Sequence, residues 1–340
     1  MSTHSVTTKG VKPLRAHCVM KLPEGIQRNV ILRNYTTFRI GGRVKYFFAT
    51  SSLDSLRKVL MWAKNYSVPF FILGGGSNVL VDDEGYKGIV IKIENSRLKK
   101  IKKRSVIVGA GMPLVTFLQK CVNYQWSGYE WMSGIPGTIG GAVYGNAGAF
   151  GEDTGKRVIR VVALDTNILQ RKLYTHDECQ FGYRESIFKQ KKDIIWEVEL
   201  KIEKGERKKI KEKIQQYLNY KIKRNVFRFP SAGSIFKNII IKETPYAKYY
   251  NSENQEVNIL GEKVKVKGGK VSAGWFIERC GLKGKKHGGA QIAPFHANII
   301  INTGNAKAKD VLYLMRLMKE KVYQKFKIKL QEEIIVLKND

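Results

Sequence analysis

The segment 133–151, SGIPGTIGGAVYGNAGAFG, constrains the fold of this chain more than any other. Seven of its nineteen residues are glycine, three are alanine and none is acidic. Glycine accepts positive φ angles and lets a backbone approach a ligand closely, but it weakens regular helices and strands. The apolar residues interspersed in the segment distinguish it from a polar, flexible linker. The segment therefore predicts backbone that folds closely around a large, flat or anionic ligand, such as a nucleotide or a flavin.

The length and composition predict a folded protein of two or three domains. The 340 residues are enough to bury a substantial core, and 43% of them are hydrophobic. The sequence contains neither the ~18 consecutive apolar residues of a membrane helix nor a signal peptide. We therefore expect a cytoplasmic protein that has no membrane partner, and we expect a monomer.

The four cysteines lie far apart and without the spacing of metal ligands. Reduced, structural thiols are the expectation for all of them, and no metal site is predicted. They are Cys18, Cys121, Cys179 and Cys280.

The net charge of +32 is the most unusual bulk property of the chain. Such a charge raises the hypothesis of nucleic-acid binding. Lysine is nevertheless scattered through the whole chain, and glutamates interrupt the densest run at 201–213, as on a solvated helix face. We therefore expect anionic small ligands and no nucleic acid. A basic nucleic-acid-binding protein remains an alternative, which a purified sample without flavin absorbance would favour.

Apolar periodicity predicts an α+β protein with many short strands. Helices are predicted where apolar residues recur every three or four positions, at 52–66, 113–124, 206–224 and 307–326. Short apolar or alternating runs predict strands at 69–73, 88–93, 105–111, 158–165, 193–202 and 328–337. The apolar face of the third helix is expected to consist of Ile210, Ile214, Tyr217, Leu218 and Ile222.

A second glycine-rich segment, GGGSNVLV at 74–81, follows a predicted strand. The N–H groups of such a turn can cradle a phosphate, and Ser77 and Asn78 add side-chain donors. The segment is neither a Walker loop nor the glycine fingerprint of a Rossmann fold. Two glycine-rich segments about sixty residues apart suit the two phosphates of a dinucleotide. The alternative is two unrelated tight turns.

Seven motifs, in this order along the chain, together resemble the UDP-N-acetylenolpyruvoylglucosamine reductase family. The resemblance extends from about residue 35 to the end of the sequence. The short connection between Arg184 and the helix at 206–224 indicates the subtype that lacks a long tyrosine-bearing substrate loop. The motifs are TTFRIGG (36–42), GGGSNVLV (74–81), SGIPGTIGGAVYGNAGAFG (133–151), FGYRESIF (181–188), SAGSIFKN (231–238), AGWFIERCGLKG (273–284) and GGAQIAPFHANIIIN (288–302).

The resemblance implies a cytosolic flavoenzyme of peptidoglycan precursor synthesis. Such an enzyme uses FAD, with NADPH as co-substrate, to reduce UDP-N-acetylglucosamine enolpyruvate to UDP-N-acetylmuramate. The implied fold is an FAD-binding domain of the vanillyl-alcohol oxidase / p-cresol methylhydroxylase type, followed by a C-terminal α+β substrate-binding domain. Expected bounds are an N-terminal arm at 1–34, the FAD-binding domain with two α+β lobes at 35–205, and the substrate domain at 206–340.

Three residues match the catalytic residues of the family. Arg184 would hold the substrate carboxylate through a charge-assisted contact. Ser234 would donate a proton, which requires a basic carbanion and a hydroxyl aimed by the turn at Gly233. Glu333 fits the family's glutamate in the last strand. Its neighbour Glu332 remains the alternative, because strand alternation turns the two side chains to opposite faces.

Further residues are implied as ligands of FAD and of the substrate. FAD is expected to be bound non-covalently, because no histidine lies between residues 36 and 151 and Cys121 is outside both glycine-rich segments. The expected FAD-binding residues are Arg39, Ile40, Gly42, Gly74, Gly75, Gly76, Ser77, Asn78, Gly134, Pro136, Gly137, Thr138, Gly140, Gly141, Gly145, Asn146 and Gly148. The expected substrate-binding residues are Tyr183, Lys237, Asn238 and His296.

The chain departs from the family pattern mainly by an insertion of about 25 residues at 242–267. It contains an alternating EKVKVK sequence that predicts a hairpin. It is either a surface elaboration or a lid over the nucleotide pocket. A different enzyme on the same flavin scaffold, such as an oxidase, is the remaining competitor, although it would not need Arg184, Ser234 and Glu333 together.

Overall fold

The computed structural model describes residues 21–102, 104–225 and 228–339. Helices and strands alternate along these ranges, so the α+β class predicted from the sequence is confirmed. Residues 1–20 of the expected N-terminal arm lie outside the described residues. The strand Gln27–Ile31 in the rest of the arm pairs antiparallel with Arg43–Thr50 and so joins the first sheet.

The first lobe is a four-stranded sheet covered by helix α1, Leu53–Asn65. The Ser52 side chain caps α1 by accepting a hydrogen bond from the Ser55 N–H, and the predicted apolar positions of this helix are buried. The strands Arg43–Thr50 and Phe70–Leu73 both pair in parallel with Tyr86–Ile93. Helix α1 is the crossover connection between the first two. In spatial order the strands are Gln27–Ile31, Arg43–Thr50, Tyr86–Ile93 and Phe70–Leu73.

The second lobe is a five-stranded antiparallel sheet with two helices, α2 (Leu114–Tyr124) and α3 (Ile139–Tyr144). Pro113 precedes α2 as its N-cap, where its missing N–H costs no hydrogen bond. One hydrophobic core joins this lobe to the first. In spatial order the strands are Arg171–Thr175, Val158–Leu164, Ile194–Lys201, Ser105–Gly109 and Leu98–Lys102.

The C-terminal part has its own core between a four-stranded sheet and helices α5 (Ala273–Arg279) and α6 (Ala308–Phe326). Its strands, in spatial order, are Ser231–Ser234, Ile299–Asn302, Ala290–Ile292 and Lys286–His287. Helix α4, Arg207–Lys223, precedes it. The apolar face predicted for α4 is partly wrong, because Ile210 is buried whereas Ile222 is 53% exposed. Helix α4 packs against the glycine-rich segment 133–151, and this segment covers only part of the apolar face of the helix.

The insertion at 242–267 forms a three-stranded antiparallel sheet, and its hairpin confirms the one predicted from EKVKVK. Its apolar side chains are buried in the C-terminal core, at Val257, Ile259, Val264 and Val266. The strands are Tyr250–Asn251, Glu256–Ile259 and Glu262–Lys265. Two-residue strands complete the fold, in the pairs Trp126–Ser127 with Glu203–Lys204, Gly148–Ala149 with Glu152–Asp153, and Ile239–Ile240 with Lys270–Val271.

The strand predicted at 328–337 is regular only at Ile335–Leu337, so its predicted length is wrong. Residues 331–333 instead lie beside 235–237, with a single bridge between Phe236 and Glu332. The tail then turns away and pairs in parallel with Val79–Val81, directly after the first glycine-rich turn. A change of partner midway prevents one continuous strand, and it brings the C-terminal part to the first lobe.

In the described ranges, no helix combines the length and apolarity needed to cross a membrane. Across the same ranges, histidine, cysteine and acidic side chains form no group of three or more able to hold a metal ion.

Candidate active site

The two glycine-rich segments lie face to face and form one structure. The Ser77 hydroxyl donates a 2.9 Å hydrogen bond to the Pro136 carbonyl. A Cβ added to Gly75 would lie only 2.6 Å from the Gly137 Cα, so the approach of the two backbones requires glycine. The segments are therefore not two unrelated turns. We call residues 74–78 and 134–141 together the glycine cradle.

The glycine cradle presents backbone donors without protein acceptors. Among the described residues, the N–H groups of residues 75–78, Gly137 and Thr138 donate no hydrogen bond. Converging N–H groups of this kind bind anions such as phosphates. The residues present therefore fit the diphosphate of FAD, and the lack of side chains leaves room for it.

Several residues predicted to contact FAD have partners within the protein. The Ile40 side chain is 2% exposed and packs in the C-terminal core. A Cβ on Gly42 would lie 2.1 Å from the Asp83 carbonyl oxygen, and one on Gly140 would lie 2.8 Å from the Ala110 Cβ. Close packing thus explains these two glycines without a ligand. Arg39 keeps a positive φ of 54°, which is uncommon outside glycine.

Residues 182–185 form a tight turn that presents two of the predicted site residues. Gly182 and Glu185 exchange two backbone hydrogen bonds of 3.1 Å, and Tyr183 and Arg184 occupy the corner. Arg184 has a φ of 59°, a strained conformation that is characteristic of functional sites. The buried Asn146 donates a 2.8 Å hydrogen bond to the Gly182 carbonyl. This bond holds the turn against the end of the glycine-rich segment and gives Asn146 a positioning role.

Arg184 and Glu333 form a partly buried ion pair, although 149 residues separate them. The Arg184 Nε donates a 2.7 Å hydrogen bond to Glu333 Oε1, and its Nη2 donates a 3.0 Å bond to the Gly148 carbonyl. Burial raises the pKa of Glu333, and the Arg184 charge opposes this shift. Glu332 turns the other way and accepts a 2.5 Å bond from Lys319 on α6. Of the two glutamates, Glu333 is therefore the one that meets Arg184.

Ser234 ends a strand directly beside the Glu333 segment. The Glu333 N–H donates a 2.8 Å hydrogen bond to the Ile235 carbonyl, which fixes the two chains side by side. Gly233 lies within this strand rather than in the predicted turn. Its φ of +73°, which favours glycine, falls where the pairing with Ile299–Asn302 is irregular. The Ser234 hydroxyl is half-buried and, within the described chain, forms no hydrogen bond. It is therefore available to a ligand.

The remaining predicted substrate residues divide into two groups. Tyr183 accepts a 3.1 Å hydrogen bond from the Asn238 N–H, and Lys237 pairs with Glu185, so all three lie around the Arg184 turn. His296 instead accepts a 3.2 Å bond from the Asn298 N–H. Burial lowers the pKa of His296, with the Arg224 charge adding to the effect. The contacts of His296 are thus separate from the Arg184 turn.

Three residues of the site escaped the sequence analysis. Lys189 donates a 2.5 Å hydrogen bond to the Arg184 carbonyl, and burial lowers its pKa. Lys221 donates a 2.5 Å bond to the Ser133 carbonyl at the start of the glycine-rich segment, and burial lowers its pKa to about 8. Asn298 holds Phe236 by two side-chain bonds. In a chain with so many lysines, only burial distinguishes the first two.

Comparison with known protein families gives two matches that together include most of the chain. Residues 44–166 match the family described as FAD binding domain. Residues 208–337 match the family described as UDP-N-acetylenolpyruvoylglucosamine reductase, C-terminal domain. The second match distinguishes the chain from other enzymes on the flavin scaffold.

Whole-length relatives agree with both matches. A UDP-N-acetylenolpyruvoylglucosamine reductase of Synechococcus sp. is 34% identical over 324 residues, which is 95% of this chain and 94% of the relative. The reductase of Solibacter usitatus is also 34% identical, over 88% of this chain and 93% of its own. The crystal structure of the Thermus caldophilus reductase superposes with a TM-score of 0.71 at 30% identity and covers 92% of this chain and 99% of that one.

Proposed function

The chain belongs to the UDP-N-acetylenolpyruvoylglucosamine reductase family, and from this premise we propose how its own residues carry out the reaction. It is an FAD-dependent oxidoreductase, a UDP-N-acetylmuramate dehydrogenase. Its reaction reduces the enolpyruvyl group of the UDP-linked sugar in peptidoglycan synthesis. NADPH is the electron donor in our proposal. FAD held by the glycine cradle would supply the hydride-transfer chemistry between NADPH and the substrate.

Arg184 binds the substrate carboxylate in this proposal. Hydride addition to the terminal carbon of the enolpyruvyl double bond places negative charge on the carbon next to the carboxylate. That charge spreads into the carboxylate, so a fixed cation there stabilises the transition state. The Nε and Nη2 groups of Arg184 are held by Glu333 and by Gly148. Its Nη1 has no partner among the described residues, so the two Nη1 N–H groups and the second Nη2 N–H remain for the substrate.

Glu333 positions Arg184 and moderates the charge of the site. A buried carboxyl with a raised pKa can share a proton with a substrate carboxylate that lies beside it. The ion pair also orients the guanidinium before the substrate arrives, which lowers the cost of reorganisation in the reaction. The observation that supports this role is the direct Arg184–Glu333 contact across the fold.

Ser234 donates the proton that completes the reaction. The carbon that receives it is a basic carbanion, so a weak acid such as a serine hydroxyl is sufficient if it is well placed. The Ser234 hydroxyl is unengaged among the described residues, and the left-handed Gly233 precedes it at an irregularity of the strand. This single observation, a free hydroxyl beside the Glu333 segment, supports the assignment most directly.

The proposed reaction is tested by a two-step experiment on the flavin-loaded enzyme. NADPH is added without oxygen until the flavin absorbance is bleached, and UDP-N-acetylglucosamine enolpyruvate is then added. We expect the oxidised spectrum to return as the substrate is consumed. A spectrum that stays bleached would show that the assigned substrate is wrong.

The variant Ser234→Ala tests the proton donor. We expect bleaching by NADPH to continue at the wild-type rate, whereas substrate turnover falls about 10³-fold. Ser252→Ala, at an exposed position in the insertion, is the control and is expected to keep both half-reactions. Equal loss of the two half-reactions in Ser234→Ala would contradict the assignment.

A further inference from the structure

The insertion at 242–267 leads into a tight turn that delivers one lysine to the active site. Lys267 and Lys270 exchange two backbone hydrogen bonds, of 2.9 and 3.2 Å, across Gly268 and Gly269. Both glycines have positive φ angles, of 54° and 72°, as in the tightest two-residue hairpin turns. Lys270 then pairs with Ile240 in a short strand that follows the Ser234 motif. The turn is therefore anchored next to the site.

The Lys270 ammonium lies against Tyr183, the neighbour of Arg184. Its Nζ is 4.6 Å from the centre of the Tyr183 ring, and the Arg184 guanidinium carbon is 5.5 Å from the same ring centre. Lys270 donates one hydrogen bond, 2.7 Å long, to the Gly268 carbonyl of its own turn. In the described part of the chain, no carboxylate pairs with this solvent-accessible ammonium. Two of its three N–H donors remain for a ligand.

The charges around the Tyr183 turn do not balance. Of the residues that the structure describes, four cationic side chains contact this turn or its ring, namely Arg184, Lys189, Lys237 and Lys270. Glu185 and Glu333 are the two acidic side chains that pair with them. Like charges held close together in a partly buried site repel one another, and an anion between them relieves the repulsion. The excess of two positive charges therefore suits a doubly charged anion.

We propose that Lys270 binds the diphosphate group of a nucleotide ligand. An ammonium on a flexible stem binds phosphate as a point charge, whereas the planar guanidinium of Arg184 suits a carboxylate. The insertion supports this residue rather than acting as a lid, because the valine and isoleucine side chains of its hairpin are buried in the core and Arg279 on α5 pairs with Glu262 in that hairpin. The inference rests on the proposed function, which supplies two diphosphates besides that of FAD, namely that of the UDP-sugar and that of NADPH.

The test compares Lys270→Met with Lys267→Met in the flavin-loaded enzyme. Both variants remove one positive charge from the same turn, but the exposed Lys267 side chain is on the other side of the two glycines from the Tyr183 contact. Titration calorimetry compares the binding of UDP with that of uridine, which lacks the diphosphate. The difference measures the contribution of the diphosphate of the UDP-sugar. The KM for NADPH, obtained from the rate of flavin bleaching, measures binding of the NADPH diphosphate. Lys270→Arg and the thermal midpoint serve as checks on folding.

If the diphosphate is that of the UDP-sugar, Lys270→Met weakens UDP binding about 10-fold or more and leaves uridine binding unchanged. If it is that of NADPH, the KM for NADPH rises by a similar factor and UDP binding is unchanged. Lys270→Arg restores most of either loss, and Lys267→Met shows neither. In the turnover assay, the KM is expected to rise while kcat stays near the wild-type value.

Equal effects of Lys270→Met and Lys267→Met on all three ligands would overturn the proposal, as would equal loss of UDP and uridine. The proposed function is judged separately, by the return of the flavin spectrum in the wild-type enzyme. A wild type that turns over the enolpyruvyl substrate while Lys270→Met behaves like Lys267→Met refutes the role of Lys270 alone. A wild type that binds neither UDP nor NADPH refutes both proposals.

Discussion

The glycine cradle and the Arg184 turn are neighbours that present opposite kinds of binding groups. The glycine cradle uses backbone N–H groups and the absence of side chains, and Ser77 is its only cross-link through a side chain among the described residues. The Arg184 turn uses charged side chains, with Glu333, Lys189 and Glu185 in direct contact. A backbone site suits a cofactor that remains bound, whereas a cationic site suits an anionic substrate that binds and leaves.

The two sites also differ in how far apart in the sequence their residues lie. The glycine cradle is built from two local sequences, and its geometry follows from glycine itself. The Arg184 turn depends on the C-terminal tail, which returns across the whole fold and is fixed to Asn78 by a 2.9 Å hydrogen bond to the Glu333 carbonyl. This bond links the Glu333 segment directly to the glycine cradle.

The largest expected effect comes from removing the cation of the Arg184 turn. We expect Arg184→Ala to lower kcat/KM for the enolpyruvyl substrate about 10³-fold, because the carboxylate loses its charge-assisted contact and Glu333 is left unpaired. FAD absorbance in the purified protein should be unchanged, since the glycine cradle is intact. Steady-state kinetics and the flavin spectrum measure the two. Arg97→Ala, at an exposed position outside both sites, is the control and should change neither.

The two adjacent glutamates give the next comparison. We expect Glu333→Gln to reduce turnover about 10²-fold, because the amide no longer fixes Arg184 by a charged hydrogen bond. Glu332→Gln removes only an exposed pair with Lys319 and should cost less than about 1 kcal/mol of stability and no activity. Kinetics and thermal unfolding of both variants decide the matter. Equal losses of turnover would show that the tail, rather than the Glu333 carboxylate, is what matters.

The glycine cradle is tested by adding a methyl group where the two turns touch. In Gly75→Ala the added Cβ would lie 2.6 Å from the Gly137 Cα, so the two backbones must move apart. We therefore expect FAD to dissociate during purification and the free energy of unfolding to fall by about 2 kcal/mol. Gly205→Ala has a comparable conflict, 2.8 Å from the Ser127 Cβ, but lies outside the glycine cradle. It should lose stability and keep FAD. Flavin content and unfolding curves distinguish the two, and loss of FAD from both would count against the cradle.

The smallest expected effect concerns Lys221, which is bonded to the first residue of the glycine-rich segment. Burial lowers its pKa from the ordinary 10.5 to about 8, so between these pH values the unfolded chain binds more protons than the folded one. The stability of the wild type relative to Lys221→Met should therefore rise by about 1–2 kcal/mol from pH 8 to 10.5, with water access limiting the gain.

Chemical unfolding at several pH values measures this dependence. Lys223→Met, an exposed position on the same helix α4, is the control and should follow the wild type. A wild type and a Lys221→Met variant with parallel stability curves would show that Lys221 keeps its ordinary pKa.

Local patterns predicted most of the fold. Helix α1 and the strands Phe70–Leu73 and Val158–Leu164 agree with their predicted positions within two residues, because their apolar periodicity and caps are contained in the segments themselves. The predictions failed where a segment changes partners. The tail was predicted as one strand, but its two halves pair with different segments. Ile222 was predicted on the apolar face of α4, but no neighbouring segment of the described chain covers this end of the helix, so its side chain is exposed.

The sequence by itself determined the two glycine-rich turns and the motifs that carry Arg184, Ser234 and Glu333, since residue type alone decides where backbone can approach closely. Only the tertiary structure decided that Glu333, rather than Glu332, meets Arg184 and that Lys270 lies against Tyr183. The reason is physical. Backbone conformation is set over a few residues, whereas charge pairing and burial depend on segments brought together by packing the core.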